Sequence, residues 1–182
     1  MSPRPYRFSD FDDPIAGAAV PTYYAAANLT GALAETVFHD IPPRSATPRV
    51  VAFDRLLSRV VARVIPRRTL KLADFTSAGL TGLGLDRREI IETVDPDLYL
   101  DTVKWAHAVY TDPETFDGIH WISRLDDTCA SVVLFGGRVR PEDLEHDPAR
   151  DMGPLTMPGT VDDVLDIASR RQIDIVGLPW LR

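Results

Sequence analysis

The chain has 182 residues, 45% of them apolar, which is enough to bury a core and too hydrophobic for a disordered tail. Its formal charge of −7 leaves only one short basic cluster, Pro66–Lys71, which reads as solvated surface and excludes the broad basic face that nucleic-acid binding demands. The single cysteine, Cys129, excludes an internal disulfide framework, and no apolar run reaches bilayer length, so a soluble cytoplasmic protein is expected.

From the N-terminus, the segment from Pro14 to Pro21 reads as a loop. Residues 22–27, TYYAAA, alternate as a short strand, with Tyr23 and Ala25 on one side and Tyr24 and Ala26 on the other. Asn28 or Thr30 is placed to cap a following helix. That helix carries the apolar stripe Leu33, Ala34, Val37, Phe38 and Ile41, with Glu35 and His39 together on the opposite face until the Pro42–Pro43 stop. Residues 50–66 are ambiguous by periodicity; a helical turn near residues 53–58 and a strand over 60–65 fit best.

The alternation around Leu70 and Leu72 predicts another strand, followed by a glycine-punctuated connection through Gly79, Gly82 and Gly84. Helical spacing of Val103, Ala106 and Tyr110 predicts a helix over 99–110. Asp117–Gly118 reads as a turn, and residues 119–123 and 129–135 as two strands of a hairpin. Thr160 is expected to cap a helix bearing Val161, Val164, Leu165 and Ala168 on one face, before a last strand over 173–178. Helices interspersed with neighbouring strands predict an α+β fold, a mixed sheet core with flanking helices in one domain.

Several chemistries fail on spacing. The histidines, His39, His107, His120 and His146, form no ligand pair at the usual spacing and no CxxC exists, so no metal site is expected. The three glycines at 79, 82 and 84 match neither a dinucleotide fingerprint nor a P-loop. Asp117, His120 and Ser123 do not make a local triad, because His120 and Ser123 point to opposite faces of a strand. Glu35 alone reads as a solvated charge. Its company is more suggestive: Tyr23 and Tyr24 lie just upstream, Arg7 sits in YRFS, and Ser123 and Arg124 close an otherwise apolar strand where they need polar partners.

These pieces, in this order, resemble the RES domain family. YRFS resembles its arginine motif, residues 23–40 its tyrosine strand and glutamate helix, and residues 68–85 its leucine-rich segment. YLDTVKWAHAVY resembles its Trp-Ala helix and residues 117–135 its closing hairpin, so that the likeness spans about residues 7–135, with 136–182 completing the domain. Tyr6 and Ser9 stand where the family commonly has glycine and asparagine, and Arg4 is an alternative to Arg7.

The resemblance implies a fold similar to that of ADP-ribosyltransferase toxins, with NAD⁺ as substrate, no metal, and a cognate antitoxin as partner in a bacterial toxin–antitoxin pair. It implies cleavage of the nicotinamide–ribose bond with phosphate or water as acceptor. A protein ADP-ribosyltransferase and an inactive binding domain are the alternatives, and homo-oligomerisation stays open. In this reading Glu35 stabilises the developing oxocarbenium ion, Arg7 and Arg124 hold phosphate oxygens, Tyr24 (or Tyr23) contacts the nicotinamide or ribose, and Ser123 donates a hydrogen bond.

Overall fold

The computed structural model describes residues 7–8, 11–41, 48–93, 99–147 and 153–180. In chain order the elements are β1 (Thr22–Ala26), α1 (Leu29–Ala34), β2 (Val50–Ala52), α2 (Asp54–Leu57), β3 (Val60–Val61), β4 (Val64–Pro66) and β5 (Leu72–Asp74). They continue with α3 (Ser77–Gly82), α4 (Tyr99–Thr111), β6 (Gly118–Ile122), β7 (Ala130–Phe135), β8 (Leu144–His146), β9 (Gly153–Pro154), α5 (Thr160–Arg170) and β10 (Asp174–Val176). The class is α+β, as the sequence predicts. The chain forms two compact units, one from Met1–Ala27 and Pro66–Leu144, the other from Asn28–Ile65 and Glu145–Arg182.

The first unit is built on a four-stranded sheet in the order β1-β7-β6-β5. β1 and β6 each run antiparallel to β7, whereas β5 runs parallel to β6, so the sheet is mixed. One face carries Ala73, Ile119, Trp121, Val133 and Phe135 into the core against Ala106, Val109 and Tyr110 of α4. Aromatic edges lock it. Phe8 packs on Phe75 at 5.6 Å and on Trp121 at 5.3 Å, and Tyr110 meets Phe135 edge-on at 5.5 Å. Gly118 is required where β6 opens: a Cβ there would lie 2.1 Å from the Val133 carbonyl oxygen.

Asp117 organises that end of the sheet. The sequence reading of Asp117–Gly118 as a turn is corrected, for Gly118 already pairs with Leu134 and Leu72. The Asp117 carboxylate receives a bidentate pair from the Arg68 guanidinium, both bonds 2.8 Å, and a third bond from the Lys71 amide at 2.8 Å. Arg68 is thus half of a structural ion pair rather than a solvated charge. Its hydrogen bonds hold the buried Asp117 carboxyl below the usual carboxylate range.

In the second unit β2 and β10 pair in parallel, and β3 pairs antiparallel with β9. Leu33, Phe38, Val51, Leu56, Val164 and Ile167 are among its core. Asn28 caps α1 as expected, its Oδ1 accepting the Gly31 amide at 2.8 Å. The predicted helix is too long, however. The Phe38 amide reaches back five residues to the Leu33 carbonyl (2.9 Å), which closes the helix at Ala34. Val37 and Phe38 still point inward, from turns. Glu35 and His39 therefore do not share a helical face.

Two other expectations shift. The single strand over 60–65 is two short strands, β3 and β4, because each has a different partner, β9 and β8 respectively. Gly159, with φ of 86°, takes the N-cap of α5, and Thr160 is its first, buried residue. A π-helical turn at Arg88–Glu92 had no sequence signal, since its length and apolar content fit an ordinary loop.

Asp117→Asn is expected to lower stability at neutral pH by on the order of 2 kcal/mol, since a charged bidentate hydrogen-bond pair becomes neutral. A depressed folded-state pKa contributes stability that is fully present above the ordinary carboxylate value, about 3.9, and is lost as pH falls through the folded value. Thermal melts of both proteins should show a Tm gap that is constant near pH 6–7 and shrinks below about pH 4.

Candidate functional site

The first unit gathers part of the motif set. The Arg7 guanidinium donates from Nη2 to the Thr93 carbonyl at 3.0 Å and lies over the Tyr99 ring, 5.7 Å from its centroid. Tyr24 donates from its hydroxyl to the Arg7 carbonyl oxygen. The Tyr24 ring also meets Trp121 edge-on at 6.5 Å. Between them, Phe8 is fully buried with φ of 66°, a backbone conformation that bulky residues rarely adopt. The aromatic contacts of Phe8 thus fix where Arg7 leaves the chain.

Strand parity sorts the two tyrosines. Tyr24 is paired with Val133 and Tyr23 with Leu134, so the two rings take opposite faces of the sheet. Tyr24 shares the face of Trp121 and reaches the Arg7 backbone; Tyr23 stands on the other side. Both are exposed.

Ser123 follows β6 and is completely buried. Its Oγ accepts the amides of Leu125 at 3.0 Å and Asp126 at 3.2 Å, which shapes the hairpin connection. Arg87 braces the same strand end, donating to the Ile122 carbonyl at 3.0 Å while paired with Glu92 at 3.0 Å. Arg124, half-buried, opens the connection itself. A shallow cleft of about 400 Å³ is lined by Ser77, Thr81, Gly84, Leu85, Asp86 and Arg87, and none of the sequence-predicted site residues line it.

Glu35 belongs to the second unit. It is half-buried at the C-cap of α1, where its amide donates to the Gly31 carbonyl at 3.0 Å. Arg4, the alternative arginine, lies outside the described residues. Among those residues no group of three metal-ligating side chains occurs, and no helix is long and apolar enough to cross a membrane.

The ordered motif, with Arg7 and Tyr24 joined across the first unit, agrees with a family model: the RES domain model matches residues 2–156. The chain belongs to the RES domain family. At family level this places it among NAD-related domains associated with toxin–antitoxin systems. No curated protein and no solved structure matches it.

Two contributors to this RES domain's cluster were not among the site residues expected from the sequence. Tyr99 was read only as the start of a helix, and Trp121 only as a strand aromatic. Both act through contacts distant in sequence, which local periodicity does not encode. Trp121 could have been singled out by parity, since it falls on the same strand face as Ser123.

Ser123→Ala should cost about 1 kcal/mol and loosen the hairpin connection. Hydrogen exchange is expected to speed up at the Leu125 and Asp126 amides specifically. Unchanged exchange at both would show that the hydroxyl does not organise the loop.

Proposed function

We propose that this RES domain cleaves NAD⁺ at the nicotinamide–ribose bond, with phosphate or water as acceptor, and acts as a toxin restrained by a cognate antitoxin. The observation that carries the reading is the joining of Arg7 to Tyr24, 17 residues apart, within a chain that belongs to this family. Two of the motifs, YRFS and the tyrosine strand, thereby meet through one hydrogen bond, with a cation and an aromatic ring beside it.

The chemistry follows from the residue types. The C–N bond breaks heterolytically, and its electron pair leaves with nicotinamide as a neutral group. Positive charge develops on the ribose, and an oxygen of phosphate or water bonds to the anomeric carbon as its proton passes to solvent. A carboxylate lowers the barrier when it meets that developing charge, because the interaction is stronger in the transition state than in the ground state. Glu35 is assigned this role. The Arg7 guanidinium, positioned by its carbonyl and ring contacts, is of the chemical type that suits a phosphate or pyrophosphate oxygen. Arg124 is the second candidate for that task. Tyr24 offers a ring for nicotinamide or ribose, and Tyr23 is the weaker candidate because it takes the opposite sheet face.

Purified protein is expected to release nicotinamide from NAD⁺, faster with inorganic phosphate if phosphate is the acceptor. Glu35→Gln should lower that release at least about 100-fold, by loss of a charge aimed at the transition state, while the melting curve stays close to wild type. Label appearing on protein instead would replace this reading with ADP-ribosyl transfer. No turnover of NAD⁺ under either condition would leave a binding domain. Expression without a partner should slow growth, and normal growth with soluble full-length protein would remove the toxin assignment.

A further inference from the structure

In the second unit, the segment from Arg59 to Ile65 carries β3 and the start of β4. Its side chains are unusually bare. Val60 is 72% exposed and Ile65 41%, and Leu57 just before them is 60% exposed. Single exposed aliphatic side chains are ordinary on a protein surface, but three within nine residues of one segment call for a reason.

The backbone of the same segment has one used edge and one open edge. β3 is sheeted only with β9, and β4 only with β8. The Arg59 carbonyl accepts the Leu155 amide at 3.0 Å, and the Arg63 carbonyl accepts the Asp147 amide at 3.0 Å. Residues of this parity therefore turn their backbone groups toward β9 and β8. The residues between them turn theirs the other way, so the N–H and C=O of Val60 and Val64 point to the opposite edge. Among the described residues no strand lies on that edge. An exposed strand edge is a ready template for another chain.

Charge says which chain fits. From Arg55 to Ile65 there are three arginines and no acidic residue, in a protein whose net charge is −7. Arg55 is drawn to Asp40 at 3.2 Å and Arg63 to Asp147 at 3.6 Å, whereas Arg59 has no ion pair among the described residues. A second copy is a poor match. Pairing this edge with itself about a two-fold axis near Val61 would set Arg59 of each copy against Arg63 of the other, and like charges opposite one another across a strand pair are destabilising. An anionic lipid surface answers the charge but offers the Val60 and Val64 amides no ordered row of acceptors. An extended acidic polypeptide answers both.

We propose that the open edge of β3 and β4 is a docking site for an extended, acidic segment of a partner protein, which joins it as an added strand. The partner's backbone pairs with Val60 and Val64. An acidic side chain stands opposite Arg59, and an apolar one opposite Val60 on the other face of the added strand. The proposal does not depend on NAD⁺ as substrate, since none of the residues assigned to its cleavage lies on this edge.

The experiment selects a displayed library of short random peptides on the full chain. Recovered peptides should be rich in Asp and Glu with an apolar residue beside them. The tightest is then synthesised and added to ¹⁵N-labelled protein. Amide hydrogen exchange at Val60 and Val64 should slow at least about tenfold with peptide bound, while exchange at Val61, which faces β9, stays as it was. Arg59→Glu should weaken the peptide at least about tenfold, and added salt should weaken its binding to wild type. Arg59 is exposed, so this variant leaves the core untouched. Recovery of no acidic peptide, equal affinity for Arg59→Glu, or unchanged exchange at Val60 and Val64 would each overturn the proposal. A dimer that protects both amides without peptide would give the edge to a second copy instead. Binding to phosphatidylserine vesicles that is lost in Arg59→Glu, with no peptide recovered, would give it to a membrane; both outcomes overturn the strand-addition site.

Discussion

Everything positioned in the first unit depends on one carboxylate. Asp117 sits where β6 begins, 8% exposed, and gathers bonds from three directions. Arg68 grips both of its oxygens, the Lys71 amide bonds one of them, and its own amide donates to the Lys71 carbonyl at 2.7 Å. Its carbonyl in turn accepts the Phe135 amide at 2.9 Å. One residue thereby ties β5, β6 and β7 in a fixed register. Side-chain direction in a strand has period two, so a slip by one residue would send Trp121 and Ser123 to the other face. A buried carboxylate without Arg68 would carry an uncompensated desolvation cost. The ion pair is therefore a register device before it is a source of stability, since an exposed arginine contributes little by itself.

From that register the site grows by contact. Trp121, correctly faced, supplies the surface on which Phe8 and Tyr24 pack. Phe8 accepts a positive φ, a strained state for a bulky residue, and its complete burial against Phe75 and Trp121 offsets the strain. The strain has a consequence one residue earlier: Arg7 is turned toward Thr93 and Tyr99, and its carbonyl toward Tyr24. Strained backbone persists only where its surroundings over-determine it, and here it places Arg7, the arginine of the YRFS motif.

Local pattern was legible where the physics is local. The alternation of residues 22–26 gave the strand and put Tyr23 and Tyr24 on opposite faces, and Asn28 capped its helix as its side-chain chemistry requires. The apolar stripe of α1 named the right core residues even though the helix stopped early, because burial depends on direction and not on helix length. Long-range pairs were not legible. Arg68 and Asp117 are 49 residues apart, so one read as surface and the other as a turn. The order of Arg7, Tyr24, Glu35 and Ser123 was readable as a family motif. The partners that position two of them, Tyr99 for Arg7 and Trp121 for Tyr24, were not.

Ser123 shows how a hydrogen-bond inventory narrows a chemical role. A hydroxyl oxygen has two acceptor sites, and the Leu125 and Asp126 amides take both. A nucleophilic serine must offer a lone pair to carbon, and this one would first have to abandon two buried amides. Each abandoned amide would add its own desolvation cost to the barrier. The cleavage proposed above therefore involves no covalent intermediate on serine, and in that proposal the electrostatic work is assigned to Glu35 and the phosphates to Arg7.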